Sequence, residues 1–150
     1  MRRAIALSTQ NVTSNQGGPF GAVVVKDSQI IGEGTNRVLA TNDPGAHAEV
    51  IAIREACRRL KSFELRGCEI YSSCEPCPMC MGLIYWSRAD RVYYANTAAD
   101  AARIGFDDAF IYSELALPPE RRAVKMERVK SPEALEAFAA WEKKPDKTPY

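Results

Sequence analysis

Histidine occurs once in this chain, at His47, so a site that uses it as a ligand must find its proton carrier among other residue types. An excess of one charge is missing too. Lysines and arginines number 20 against 19 acids, a formal net charge of +1, so no global basic field draws the protein to nucleic acid. Two small basic clusters exist (Arg58, Arg59 and Lys61; Arg121, Arg122 and Lys125), but acids interleave with them and they read as solvated surface. No apolar run approaches the roughly 20 residues of a membrane span, so no membrane partner is expected. Residues 1–9 are too short and too amphipathic for a secretory signal. The five cysteines are odd in number and lack the spacing of a disulfide framework, which points to a reducing cytoplasm. Internal repeats and low-complexity segments are absent. The 150 residues suffice for one domain with a real core.

The pattern predicts an amphipathic helix from residue 2 to about 14, with Ile5, Ala6 and Leu7 to one side. Gly17-Gly18-Pro19 is a loop. A β-branched strand over 20–26, a turn at Asp27-Ser28 and a return strand over 29–35 make a hairpin, closed by Asn36. After a loop at 41–45, a helix over 46–60 buries Val50, Ile53, Ala56, Cys57 and Leu60. Then follow a strand at 68–73, a helix at 77–87, a strand at 91–95 and a short helix at 98–103. Residues 105–114 read as loop or broken helix, 123–129 as a fifth strand, 132–143 as a last helix and 144–150 as a polar tail. A hairpin followed by alternating helix and strand implies an α/β fold. Its layers are α/β/α around a mixed five-stranded sheet, antiparallel first and parallel later.

Chemistry concentrates in two stretches, Ala46-His47-Ala48-Glu49 and Ser73-Cys74-Glu75-Pro76-Cys77-Pro78-Met79-Cys80. Positions i and i+3 share a helix face, so Cys77 and Cys80 can point at one metal ion. Pro76 breaks what precedes, and Pro78 suits a first helical turn. The thiolates then sit at a helix N-terminus, where free backbone N–H groups favour negative charge. Asp43-Pro44-Gly45 is a turn before a helix start, which puts His47 in a first turn as well. With His47 as third ligand, zinc keeps its fourth tetrahedral position open, and Glu49 is a carboxylate not needed as a ligand. An open position beside a carboxylate points to activated water. Positions i and i+2 do not face the same way on a helix, so the ion is expected beyond the helix end. Two thiolates and a neutral imidazole leave zinc without net charge. It is then a weaker Lewis acid than in a three-histidine site, and hydrogen bonds from the helix starts partly restore its acidity. Glu49 is the natural proton carrier. Two alternatives stand beside this. Cys74, Cys77 and Cys80 begin like an iron–sulfur run, although Ile84 occupies the place of the next cysteine. Cys74 could instead complete a structural zinc site. Cys57 and Cys68 lie in apolar periodic stretches and read as core.

The order H-A-E, then P-C-x-x-C, resembles the cytidine-deaminase superfamily of zinc nucleobase deaminases. Within it, the strings GGPFGAVVVKD, NDPGAHAEV, SCEPCPMCMGLIYWSR and IGFDDAFIY are most similar to the bacterial branch that acts on guanine. The resemblance covers nearly the whole chain and implies one cytidine-deaminase-like zinc-dependent domain over residues 1–150. It implies one zinc ion per subunit, with bound water or hydroxide, on His47, Cys77 and Cys80. Glu49 would move protons in hydrolysing guanine to xanthine and ammonia. The substrate, a small purine base, would meet Asn36 and Ala48, line or stack against Phe20 and Trp86, and be gripped by Asp108, with the adjacent Asp107 as the rival carboxylate. Tyr150 would help close the pocket, over a partner subunit's site. The implied assembly is a homodimer that exchanges its tail, about 142–150. The residues fit this chemistry, since Asn36 offers a donor and an acceptor while an ionised Asp108 only accepts, as guanine's N–H edge requires. Three rivals remain: a tRNA adenosine deaminase, which should carry a basic face; a deaminase of cytosine, guanosine or a triazine; and a zinc-stabilised binding module without activity.

Overall fold

The hairpin is set by its turn. Asp27 and Ser28 both take positive φ, 48° and 62°, the pairing that matches the twist of the strands on either side. In the computed structural model, which describes residues 1–149, strand β1 (Gly21–Lys26) thus pairs antiparallel with β2 (Gln29–Thr35). Helix α1 (Arg2–Thr13) precedes them; a short α2 (Val38–Thr41) and then α3 (Ala48–Leu60) follow. Next come β3 (Cys68–Cys74), α4 (Pro78–Ser87), β4 (Arg91–Asn96), α5 (Ala98–Arg103), α6 (Ala109–Ala116) and α7 (Ala134–Lys143).

The sheet order is β2-β1-β3-β4, with β3 and β4 parallel and the other pairs antiparallel. Ala22, Val24, Ile31 and Ile70 pack with Ala48, Ala52, Ile53 and Ala56 of α3 and Ile84 of α4 in the core. Gly34 and Gly32 let α3 lie directly on β2, because a Cβ at either would overlap a carbonyl oxygen of that helix, Ala48 or Ala52 respectively. That close approach brings the first turn of α3 to the sheet, and with it the chemistry.

The mixed α/β sheet is therefore as expected in its first four strands, but among the described residues it has four strands and not five. Residues 123–129 form no strand. Val124 and Met126 alternate with Lys125 and Glu127 as in a half-buried strand, yet Val124, Met126 and Val129 are exposed. The backbone N–H of Ala123 donates to the Glu114 carboxylate at 2.5 Å in place of a ladder partner.

The chain divides into two compact units, Met1–Tyr112 and the segment from Ser113 on. The sheet and both chemistry-bearing stretches belong to the first. The second holds a short 3₁₀ turn, Pro119–Arg121, and α7. No described helix is long and apolar enough to cross a membrane.

Candidate metal centre and cavity

Two helix starts build the centre. His47 is the N-cap of α3 and Cys77 the N-cap of α4, both with extended backbone and neither using its side chain to cap the helix. Each carbonyl accepts the first intrahelical bond, from Ile51 and Met81 respectively. Each side chain is thereby free to point past the helix end. Pro78 occupies N1, where its missing N–H costs nothing, and brings fully buried Cys80 round at N3. This removes the i, i+2 difficulty: His47 stands outside the helix, while Glu49 lies inside its first turn.

The donor atoms of His47, Cys77 and Cys80 lie within 4.8 Å of one another. The imidazole Nδ1 is 3.5 Å from the Cys77 Sγ and 3.6 Å from the Cys80 Sγ. Zinc with ordinary Zn–S and Zn–N bonds sets tetrahedral N···S edges of about 3.6 Å, so this trio fits the ion. Protonation agrees. The Cys80 hydrogen bond, followed by His47, pushes the Cys77 thiol down to about 4, whereas the same bond, burial and Glu49 push the Cys80 thiol up. Metal binding takes both thiols as thiolates, so any proton left on Cys80 would leave as a divalent cation enters. Cys74 stands apart. Its Sγ–H donates to the Thr97 carbonyl at 3.5 Å, burial raises it to about 11, and it does not join the ligand group, so neither the iron–sulfur run nor a structural clip of three cysteines and one histidine is assembled.

Glu49 is 5% exposed. Its Oε1 accepts from the Ser72 hydroxyl at 2.7 Å, and its Oε2 lies 3.4 Å from the Cys80 Sγ. Ser72 comes from β3, so the carboxylate is aimed by the sheet and placed by the helix.

A cavity of about 650 Å³ opens in front of this group. His47, Ala48, Glu49 and Cys77 line it, together with Phe20, Asn36 and Asp108. Asn36 is buried, and its Oδ1 accepts the Val38 N–H at 3.3 Å. Phe20 meets Phe106 edge-on, with centroids 4.9 Å apart. The adjacent acids differ. Asp107 caps α6 through an N–H bond from Ala109 to its Oδ1, whereas burial, then Cys77, raises the Asp108 carboxyl above its ordinary value. Two expected residues are not brought in. Trp86 is 65% exposed and does not line the cavity. It lies six residues beyond Cys80, about 9 Å further along α4. Tyr150 lies outside the described residues.

Four residues escaped the sequence reading. Phe106 and Glu75 line the cavity, Ser72 holds Glu49, and buried Asn11 of α1 donates to the carbonyls of Gly18 and Asn36 at 2.8 and 2.9 Å. Glu75 was visible inside the metal motif. Phe106 lay within the string IGFDDAFIY, whereas nothing in the sequence marked Ser72 or Asn11, because each acts across the fold.

Residues 1–96 match the model of the cytidine and deoxycytidylate deaminase zinc-binding region. The chain is 50% identical over 150 residues to the guanine deaminase of Bacillus subtilis strain 168, covering all of this chain and 96% of that one. An X-ray structure of guanine deaminase from B. subtilis superposes with a TM-score of 0.96 at 50% identity, over 99% of this chain and 95% of the other. A tRNA-specific adenosine deaminase of Aquifex aeolicus is 39% identical over 126 residues, 84% of this chain and 81% of that protein. The chain belongs to the cytidine and deoxycytidylate deaminase family, the zinc-dependent deaminases. Its metal is zinc, and His47, Cys77 and Cys80 form the site that fits it.

Proposed function

We propose that this chain hydrolyses the 2-amino group of guanine, giving xanthine and ammonia. One observation carries the reading: the cavity that holds the metal trio and Glu49 is also lined by the carboxylate of Asp108, an acceptor suited to guanine's N–H edge. The full-length likeness to a guanine deaminase supports the same substrate.

Held by His47, Cys77 and Cys80, zinc would lower the pKa of a water toward neutrality. Glu49 takes the proton that this water loses as its oxygen attacks guanine C2. It passes that proton to the ring nitrogen, then takes the proton of the hydroxyl now on C2 and gives it to the amine, so the C2 carbonyl forms as the C–N bond breaks and ammonia leaves. Ser72 keeps Oε1 of Glu49 occupied and so directs Oε2 toward the reacting atoms. Asn36 meets the base with its amide, and Phe20, braced by Phe106, forms an apolar wall. Asp108 accepts from the base edge; a base without those donors leaves the carboxylate unpaired, at a cost of about 1–3 kcal/mol or more. Trp86 takes no part in this cavity. Instead, with Tyr85, it belongs to a surface suited to a second copy, and the assembly is a homodimer in which the tail, about 142–150, is exchanged and Tyr150 closes the partner's pocket. Five free cysteines suit a reducing compartment, the cytoplasm.

Ammonia release from guanine, guanosine, cytosine, adenine, ammeline and tRNA tests this, with zinc-stripped protein as control. Guanine should be the preferred substrate. Preferential turnover of tRNA adenosine or of cytosine would sink it.

A further inference from the structure

Beyond the groups that touch the base, one residue ties the metal loop to the acid loop. Two consecutive residues, Cys74 and Glu75, hold three, Asn96 to Ala98, where β4 ends and α5 starts. The Glu75 N–H donates to the Asn96 carbonyl at 2.8 Å, the Cys74 thiol to the Thr97 carbonyl at 3.5 Å, and Oε2 of Glu75 accepts the Ala98 N–H at 3.0 Å. Only the last is a side-chain carboxylate bond, and it leaves Glu75 still lining the cavity.

What hangs on Ala98 is stiff. Thr97 and Asp100 form a reciprocal capping box at the start of α5. At its other end Gly105, at φ +92°, donates to the Ala102 carbonyl and Phe106 to the Ala101 carbonyl, both at 3.0 Å. That is the double bond pattern of a Schellman motif, with glycine in the left-handed position it requires. Closed at both ends, α5 and the turn after it move as a body. Phe106 is braced against Phe20, Asp107 caps α6, and Asp108 follows immediately. Anchoring the first N–H of α5 therefore sets where Asp108 stands.

We propose that Glu75 is a positioning residue: through Ala98 and α5 it holds Asp108 in register with the metal ligands. Glu75 sits two residues before Cys77, so metal loop and specificity carboxylate share one mount. This rests on the guanine reading for its effect on catalysis, but not for the mechanical link.

The test combines kinetics, metal content and hydrogen exchange on the zinc-loaded full chain. Glu75→Ala should lower kcat/KM for guanine by about 10–100-fold, the range for residues that orient a site from behind. Zinc should stay at one per chain, and amide exchange over 98–108 should quicken. Glu75→Gln keeps an acceptor oxygen and should recover most of the loss; Glu75→Asp, one methylene short, should recover little. If Glu75 acts through Asp108, Glu75→Ala should add almost nothing in an Asp108→Ala background. Unchanged exchange, zinc loss, or an equal penalty in both backgrounds would overturn the proposal. Should Asp108→Ala leave guanine turnover intact, the substrate reading falls, and exchange over 98–108 alone decides the link. If Glu75→Ala does not fold, the Gln and Asp variants decide it.

Discussion

At the residue scale, Glu49 bears the heaviest demand, because His47, the only histidine, is taken by the metal. Glu49→Gln is expected to lower kcat by about 10²–10⁴ while zinc content, measured by atomic absorption, is unchanged. Loss of zinc in that variant would make Glu49 a ligand instead. Asp108 sets a pH dependence. Burial first, then Cys77, Asp107 and Glu75, raise its carboxyl above the ordinary aspartate value. It must be ionised to accept from the base, so binding is full above that raised value and is lost as pH falls through it. The same shift opposes folding as pH rises across the interval, since the native state holds the proton more tightly than the unfolded chain. Titration of 8-azaguanine binding by calorimetry should place the acid limb above that of free aspartate, and Asp108→Asn should abolish the limb. A limb at the free-aspartate value, or one that survives the substitution, contradicts the assignment. The ligands were legible because cysteine spacing, two prolines and a matched His-x-Glu carry the geometry locally. Asn11 was not. Its side chain, 3% exposed, satisfies two carbonyls from loops that follow it by 7 and 25 residues. Asn11→Ala strands the Asn36 carbonyl, while the Gly18 carbonyl keeps the Phe20 N–H, and should cost about 1–3 kcal/mol in urea unfolding.

At the element scale, the starts of α3 and α4 explain both a success and a miss. The proline at N1 announced α4, but α3 begins at Ala48 rather than at 46. Helix N-caps are recognised by Ser, Thr, Asp or Asn, whose oxygens satisfy free N–H groups. Here the cap positions hold His47 and Cys77, whose side chains are turned to the metal, so the usual marker is missing where function replaces it. The fifth strand failed for a different reason. Alternation at 123–129 reports which residues could share a face, and it is silent on whether a neighbouring strand offers hydrogen bonds. Four strands were legible because a hairpin turn and alternating helices fix their neighbours. The seating of α3 makes a further expectation. Any side chain at Gly34 collides with the Ala48 carbonyl, one residue from each of His47 and Glu49. Gly34→Val should destabilise the fold by about 1–3 kcal/mol or more and weaken zinc retention during dialysis against a chelator. The same substitution at Gly82, whose Cβ would meet nothing, should leave zinc in place. Equal behaviour of the two would show that the contact does not set the site.

At the scale of the whole molecule, the second compact unit poses a question of burial. Among its described residues, 113–149, none is buried. Helix α7 nevertheless carries Leu135, Phe138 and Trp141 at three-residue steps, and Phe138 is 75% exposed. A ten-residue helix is marginal in water by itself, so its apolar stripe needs cover. Tyr85 on α4 of the first unit is another of the exposed aromatics, at 76%. In a two-fold assembly each such residue is buried twice, once per copy. Full burial of one large apolar side chain contributes about 1.5–3 kcal/mol, so the three on α7, counted in both copies, would contribute on the order of the cost of association. The full chain is therefore expected to run as a dimer in light scattering at micromolar concentration. Phe138→Lys should shift it toward monomer and, if the exchanged tail completes the partner's cavity, should raise KM for guanine while zinc stays bound. A monomeric wild-type chain with full activity would refute the assembly. A Phe138→Lys dimer with unchanged KM would instead separate the α7 stripe from the interface.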